Sequence, residues 1–166
     1  SSFMGDSKRF NLFADIVHEH VNSEAKVADI AGGKGYLQIA LRERGFNKVE
    51  TWDKRTRNKK SQIRKSAINQ RYSYFEYDRV EDKYEAVVAM HPDEGTDHSI
   101  LFAAKHRIQA IICPCCVKPS ATMFWESHKY GLWKEHLINL GRKNNMEVIE
   151  KKLKMNGRND VLIFKP

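Results

Sequence analysis

The stretch from Val27 to Leu37, Val-Ala-Asp-Ile-Ala-Gly-Gly-Lys-Gly-Tyr-Leu, constrains this chain more than any other. Val27, Ala28 and Ile30 form a short apolar run, as in a strand covered on both faces. Gly32, Gly33 and Gly35 follow, where a missing Cβ lets the backbone turn sharply and approach a ligand. Tyr36, Leu37, Ile39, Ala40 and Leu41 then recur at helical spacing. A strand, a glycine turn and a helix opening at that turn make a ligand loop, with the first N–H groups of the helix pointing toward whatever the turn holds.

The rest of the chain repeats the alternation. Phe10, Leu12, Phe13, Ile16, Val17 and Val21 predict an amphipathic helix over 7–21, capped by Asp6 or Ser7. Strands are expected at 26–31, 49–53, 72–77, 84–90 and 110–113, and the helix after the first strand should run to Arg44, with Gly45 as C-cap. A helix is expected within the segment after Asp53, another from about residue 96 capped by Thr96 or Asp97, and a third over 131–143. Asn156-Gly157-Arg158-Asn159 separates strands at 146–154 and 160–165 and predicts a closing hairpin. The order implies an α/β fold: a seven-stranded, mostly parallel sheet with helices on both faces and a C-terminal antiparallel hairpin. With 166 residues, no internal repeat and no low-complexity linker, one domain spanning 1–166 is expected.

Charge is concentrated in one place. Lys54, Arg55, Arg57, Lys59, Lys60, Arg64, Lys65 and Arg71 fall in a run that contains no acid. The remaining 21 basic residues are balanced by 21 acidic ones, so the net charge of +8 resides in this run. Such a block suits a polyanion, and RNA is the expected partner of Lys54, Arg55, Arg57, Lys59, Lys60, Arg64 and Lys65. Cations interleave with aromatics again at Met123-Phe124-Trp125 and His128-Lys129-Tyr130, a pattern that suits base stacking or a pocket wall. No apolar run has the length of a membrane span, so no membrane partner is expected. Three cysteines, two of them adjacent, make no disulfide framework, and an intracellular location, cytoplasmic or nuclear, is expected.

Asp53 closes the second strand, 24 residues after Asp29, at the position where an acidic side chain can accept ribose hydroxyls. A dinucleotide fingerprint beginning at Gly33 and Gly35 needs Gly or Ala third and finds Gln38. That argues against a nicotinamide-dependent oxidoreductase. Asp29-Ile30-Ala31-Gly32-Gly33-Lys34-Gly35 instead resembles motif I of class I S-adenosylmethionine-dependent methyltransferases, an acidic residue followed by three alternating glycines, with Ala31 in place of the first. The Rossmann-like element order is similar to that family over nearly the whole chain. The resemblance implies an S-adenosylmethionine cofactor. Asp29, Ala31, Gly32, Gly33 and Gly35 would line its methionine end, Asp53 would hold the ribose, and Asp78 would meet the adenine amino group. His91-Pro92-Asp93-Glu94-Gly95-Thr96-Asp97 and Cys113-Pro114-Cys115-Cys116 are similar to a subgroup that includes the tRNA acceptor-stem 2′-O-methyltransferases, although Pro92-Asp93 replaces its usual Leu-Cys or similar pair.

Ends of the fourth and fifth strands would flank the methyl group, so His91 would border the cofactor and is the candidate general base. Asp93, Glu94 or Asp97 can orient it. Cys115 is a candidate nucleophile; small, buried cysteines are the structural alternative for all three. Cys-x-Cys-Cys is a poor zinc-ligand spacing, and no metal is expected. The Asn/Asp-Pro-Pro-aromatic signature of amine methylation is absent after the fourth strand. The expected activity is methyl transfer to RNA (tRNA or rRNA), and the alternative is a nucleic-acid-binding protein that keeps the fold without catalysis.

Overall fold

The computed structural model describes residues 2–54, 68–92, 95–114, 130–155 and 159–166, the side chains of 2–7 excepted. Helix α1 (Ser2–His20) leads into β1 (Val27–Ile30), followed by α2 (Tyr36–Arg42), β2 (Val49–Trp52), β3 (Gln70–Arg71) and β4 (Ala86–Met90). Helix α3 (Thr96–His106), β5 (Gln109–Cys113), α4 (Tyr130–Lys143), β6 (Glu147–Lys152) and β7 (Asp160–Lys165) complete the order.

All seven strands form one sheet, ordered β3-β2-β1-β4-β5-β7-β6. Pairs among β1 to β5 are parallel, with Val27 opposite Val49 on one side and Ala86 on the other. β7 runs antiparallel between β5 and β6, closing the chain with the expected hairpin. After β3 the chain returns to the far side of β1, so the crevice between the carboxyl ends of β1 and β4 is the switch point where ligands bind in such sheets.

Alternate strand residues face opposite layers. Val27, Val49, Ala86, Val88, Ile111 and Ile163 pack with Phe13 and Val17 of α1 and with Leu37 and Leu41 of α2. Ala28, Ile30, Val87, Ala89, Ile112 and Phe164 pack with Ile100 and Phe102 of α3 and with Trp133 and Leu137 of α4. β1 and β4 are buried along their whole length, as strands covered on both faces must be. Among the described residues no helix is long and apolar enough to cross a membrane.

Some expectations need correction. The strand expected at 72–77 is not formed. β3 has only two residues, because β2 ends at Trp52, opposite Arg71, and among the described residues no strand pairs with the chain beyond. Ser73 N–H instead turns back onto the Arg71 carbonyl at 3.0 Å. Helix α1 begins at Ser2, so Asp6 and Ser7 lie inside it rather than capping it. Gly95 occupies the N-cap of α3 without a side-chain cap bond, which places Thr96 and Asp97 in its first turn. Tyr84 precedes β4 and bridges the sheet edge instead, accepting from Trp52 Nε1 (2.9 Å) and donating to Glu50 (2.6 Å). The helix expected after Asp53 falls almost wholly outside the described residues.

Candidate functional site

The glycine turn is built on alternating handedness. Ala31, Gly33 and Gly35 have φ of 56°, 56° and 83°, all in the left-handed region that favours glycine. Alternating glycines in a motif of this kind therefore mark alternating backbone conformation, and Ala31 accepts the strain of the first such position. Gly32 is required for space. A Cβ there would collide with the Asp29 carboxylate and would stand 2.6 Å from Thr51 Cγ2. At Gly35 a Cβ would meet Ile68 Cδ1 at 2.7 Å, so this glycine accommodates a core side chain. Gly33 has room: the nearest atom to a Cβ there is Asp53 Oδ2, 4.0 Å away.

Three elements lock the turn. Thr51, opposite Asp29 in the β1–β2 register, donates its hydroxyl to Asp29 Oδ2 at 2.8 Å. Gln38 of α2 donates Nε2 to Thr51 Oγ1 (2.8 Å) and to the Asn69 carbonyl (3.1 Å), while its Oε1 accepts Asn69 N–H (2.9 Å). Gln38 is wholly buried in this bridge, in the layer where a dinucleotide fingerprint needs a small residue. Asp53 Oδ2 accepts the Gly33 N–H at 2.8 Å, clamping the end of β2 to the tip of the turn.

The two carboxylates differ. Asp53 is buried but lies at the mouth of the turn. Asp29 is wholly buried behind Gly32, and its Oδ1 has no hydrogen-bond partner among the described residues. Burial pushes the Asp29 carboxyl up to about 7, the Thr51 hydrogen bond opposes this, and the charge of Asp53 adds to it. The unsatisfied acceptor of Asp29 thus lies directly behind Gly32, and Asp53 stands beside the open Gly33.

On the β4 side, His91 also takes a left-handed conformation (φ 53°), and its N–H bonds the Cys113 carbonyl at 2.9 Å. Its Nδ1 is buried without a partner among the described residues. Burial, followed by the charge of Arg9 from α1, lowers its pKa to about 4, so the imidazole is neutral above mildly acidic pH. Arg9 also hydrogen-bonds the Cys113 thiol, which burial pushes up to about 11. Cys113 is thus a protonated core thiol and no nucleophile at neutral pH. Between α3 and α4, His136 Nε2 lies 3.6 Å from Asp97 Oδ1 and stacks on Trp133 at 5.5 Å.

The structure therefore brings Asp29, Ala31, Gly32, Gly33, Gly35 and Asp53 into one cradle, with His91 at the end of the neighbouring strand. Asp78 is exposed in the turn 77–79, beyond the end of β3. Asp93, Cys115, Arg55, Arg57, Lys59, Lys60, Arg64 and Lys65 lie outside the described residues, as does the aromatic segment up to Lys129. Lys54 is exposed, with its ammonium 4.9 Å from the Tyr74 ring centroid. Among the described residues no three His, Cys, Asp or Glu side chains gather as metal ligands do. The local pattern marks Gln38 only as a misfit to the dinucleotide fingerprint and gives no sign of what Thr51 and Arg9 do. Thr51 and Gln38 act through strand register and helix packing, for which a local pattern holds no signal, and Arg9 reads as one more surface cation on an amphipathic helix.

No family model matches the chain, and no curated protein matches it in sequence. Solved structures do match. The ribosomal protein L11 methylase of Lactobacillus delbrueckii subsp. bulgaricus aligns with a TM-score of 0.63 at 15% identity, over 92% of this chain and 76% of its own. The sugar N-methyltransferase KedS8 of Streptoalloteichus sp. aligns at 0.65 and 11% identity, over 95% and 86%. The methyltransferase domain of bacterial CtHen1 aligns at 0.62 and 13%, over 97% and 99%. The fold is the Rossmann-like methyltransferase fold. In that fold the turn after β1 and the end of β2 are neighbours by construction, and here the Gly33–Asp53 bond joins them.

Proposed function

We propose that this protein is an S-adenosylmethionine-dependent methyltransferase acting on RNA. The observation that carries the cofactor assignment is the Asp53–Gly33 clamp with the buried, unsatisfied Asp29 carboxyl behind it, at the switch point of the sheet. S-adenosylmethionine, when bound, supplies an electrophilic methyl group on a sulfonium. Gly33 leaves room for the backbone to be approached closely. Asp53 can accept ribose hydroxyls with the carboxylate that holds the turn. Asp29, titrating near neutrality, supplies countercharge to a cation at the methionine end, and such a cation would draw it into its ionised form.

The RNA assignment rests on charge. The basic run begins at Lys54, one residue after Asp53, so a polyanion held there reaches the edge of the same crevice. His91, neutral at physiological pH, accepts a hydrogen bond from a hydroxyl nucleophile and orients it. With a pKa of about 4 it is a weak proton acceptor, so alignment rather than strong base catalysis is its contribution. That same weakness, together with the protonated Cys113, favours the second reading, a binding protein that retains the cofactor site without turnover.

Calorimetric titration with S-adenosylmethionine and its demethylated product tests the cofactor site. Binding by wild type that is lost in Asp53→Ala is expected, and no binding by wild type sinks the assignment. Incorporation of labelled methyl groups into a total RNA pool separates the enzyme from the inactive binder.

A further inference from the structure

We infer that Tyr72 and Tyr74 form a stacking platform for unpaired RNA bases at the carboxyl edge of the sheet, which rests on the RNA reading above and names the form of RNA it takes. The two rings are displayed between two anchors. On one side, Arg71 is tied to Asp82 at 2.9 Å and lies over the Trp52 ring at 4.3 Å. Its charge is therefore spent within the fold, unlike its position in the basic run would suggest. On the other side, Phe75 is buried in edge contacts with Trp52 (5.3 Å) and Phe102 (4.9 Å). Between them Tyr72 and Tyr74 are 47% and 56% exposed. One aromatic of this short segment is drawn into the core while two are held out by rigid neighbours, and an exposed pair of that kind marks a recognition surface.

Charge complementarity identifies the occupant. Lys54, 4.9 Å from the Tyr74 ring, opens the run of basic residues that contains no acid. Rings beside cations meet a ligand with flat faces joined by phosphates, which is a single strand of nucleic acid. Bases in a duplex already stack on one another and do not offer their faces to a side chain. β3 is parallel to β1, so the platform follows the same carboxyl edge as the glycine turn. A strand stacked there runs toward the crevice at Asp53.

The test is fluorescence anisotropy of the full chain with a short fluorescein-labelled single-stranded RNA and with the same strand fully paired. Tyr72→Ala/Tyr74→Ala should bind the single strand roughly tenfold or more weakly than wild type. Its affinity for the duplex, its melting temperature and its cofactor titration should stay unchanged. Tyr72→Phe/Tyr74→Phe, which keeps the rings, should restore single-strand binding. Unchanged single-strand affinity in the alanine variant overturns the platform, as does an equal loss for the duplex. Competition by polyglutamate as effective as by RNA overturns it in favour of an acidic protein partner. If wild type binds neither RNA, the RNA reading falls with the platform, while the cofactor titration judges the methyltransferase reading independently.

Discussion

The two sides of the crevice are built differently. On the β1–β2 side short hydrogen bonds join neighbouring elements, Gln38 to Thr51, Thr51 to Asp29 and Gly33 to Asp53, while Asp29 Oδ1 has no partner among the described residues. On the β4–β5 side the polar groups come from distant parts of the chain. Arg9, His91, Cys113, Asp97 and His136 belong to five different segments, His91 is strained, and Asp97 and His136 are 3.6 Å apart. A circuit of short hydrogen bonds holds one geometry and suits a ligand of fixed shape. Groups drawn from separate segments can change one at a time without disturbing that circuit.

The largest expected effect separates the two sides by one identical substitution. Gly32→Ala drives a Cβ into the Asp29 carboxylate and Thr51, neither of which can move without opening the circuit. It should destabilise the fold by about 3 kcal/mol, at the upper end for overpacking. Gly95→Ala, at the start of α3, meets a single methyl of Ile30 at 2.8 Å and has an ordinary φ of −80°. It should cost about 1 kcal/mol. Chemical denaturation of both variants measures the difference, and equal costs would mean that the circuit is no more rigid than its surroundings.

Asp53→Ala comes next. It removes a charged acceptor from the crevice and releases the Gly33 N–H, with an expected loss in cofactor affinity corresponding to about 2 kcal/mol. Calorimetry with the demethylated cofactor product reads this directly. A variant that binds as tightly as wild type would leave Asp53 as a structural clamp alone.

The same contrast explains what the sequence discloses. Strand-and-helix alternation, the terminal hairpin and the Asp29-to-Asp53 spacing are local or regular, and they reappear in the sheet with small shifts in boundary. Gly33 and Gly35 could be singled out because handedness is written into residue type there, and Ala31 by its place as the first of three alternate positions. The end of β3 could not be located, because aromatic content signals a strand while pairing depends on where β2 stops. The low basicity of His91 was equally hidden. It arises from burial and from Arg9, which sits 82 positions earlier in the chain and reaches the site only because α1 packs across the sheet.

Protonation gives a subtler probe, since the two sides respond to pH with opposite signs. Asp29 binds its proton more tightly when folded, so its contribution to stability is full at low pH and is lost as pH rises from 3.8 through about 7. His91 binds its proton more weakly when folded, so its contribution is present above 6.5 and lost as pH falls toward about 4. Each contributes at most about 1.4 kcal/mol per pH unit, and between these limits they oppose each other. Asp29→Asn should make stability climb more steeply between acid and neutral pH, and His91→Gln should make it decline. Urea titrations across that range that show parallel curves for all three proteins would contradict both assignments.

The smallest effect is the most specific to the turn. Ala31 holds φ at 56°, where an L side chain costs about 1–2 kcal/mol. Ala31→Gly relieves this strain but adds about 0.5–1 kcal/mol of backbone entropy to the unfolded chain. The net expectation is a gain of about 0.5 kcal/mol, read as a small rise in melting temperature. His91 has nearly the same φ on the other side of the crevice, but histidine tolerates the left-handed region better than most residues, and its ring fills buried space. His91→Gly should therefore destabilise where Ala31→Gly stabilises. If both substitutions shift the melting temperature in the same direction, backbone strain is not what distinguishes the first position of the turn, and the alternating conformation of Ala31, Gly33 and Gly35 loses its role as the origin of the glycine pattern.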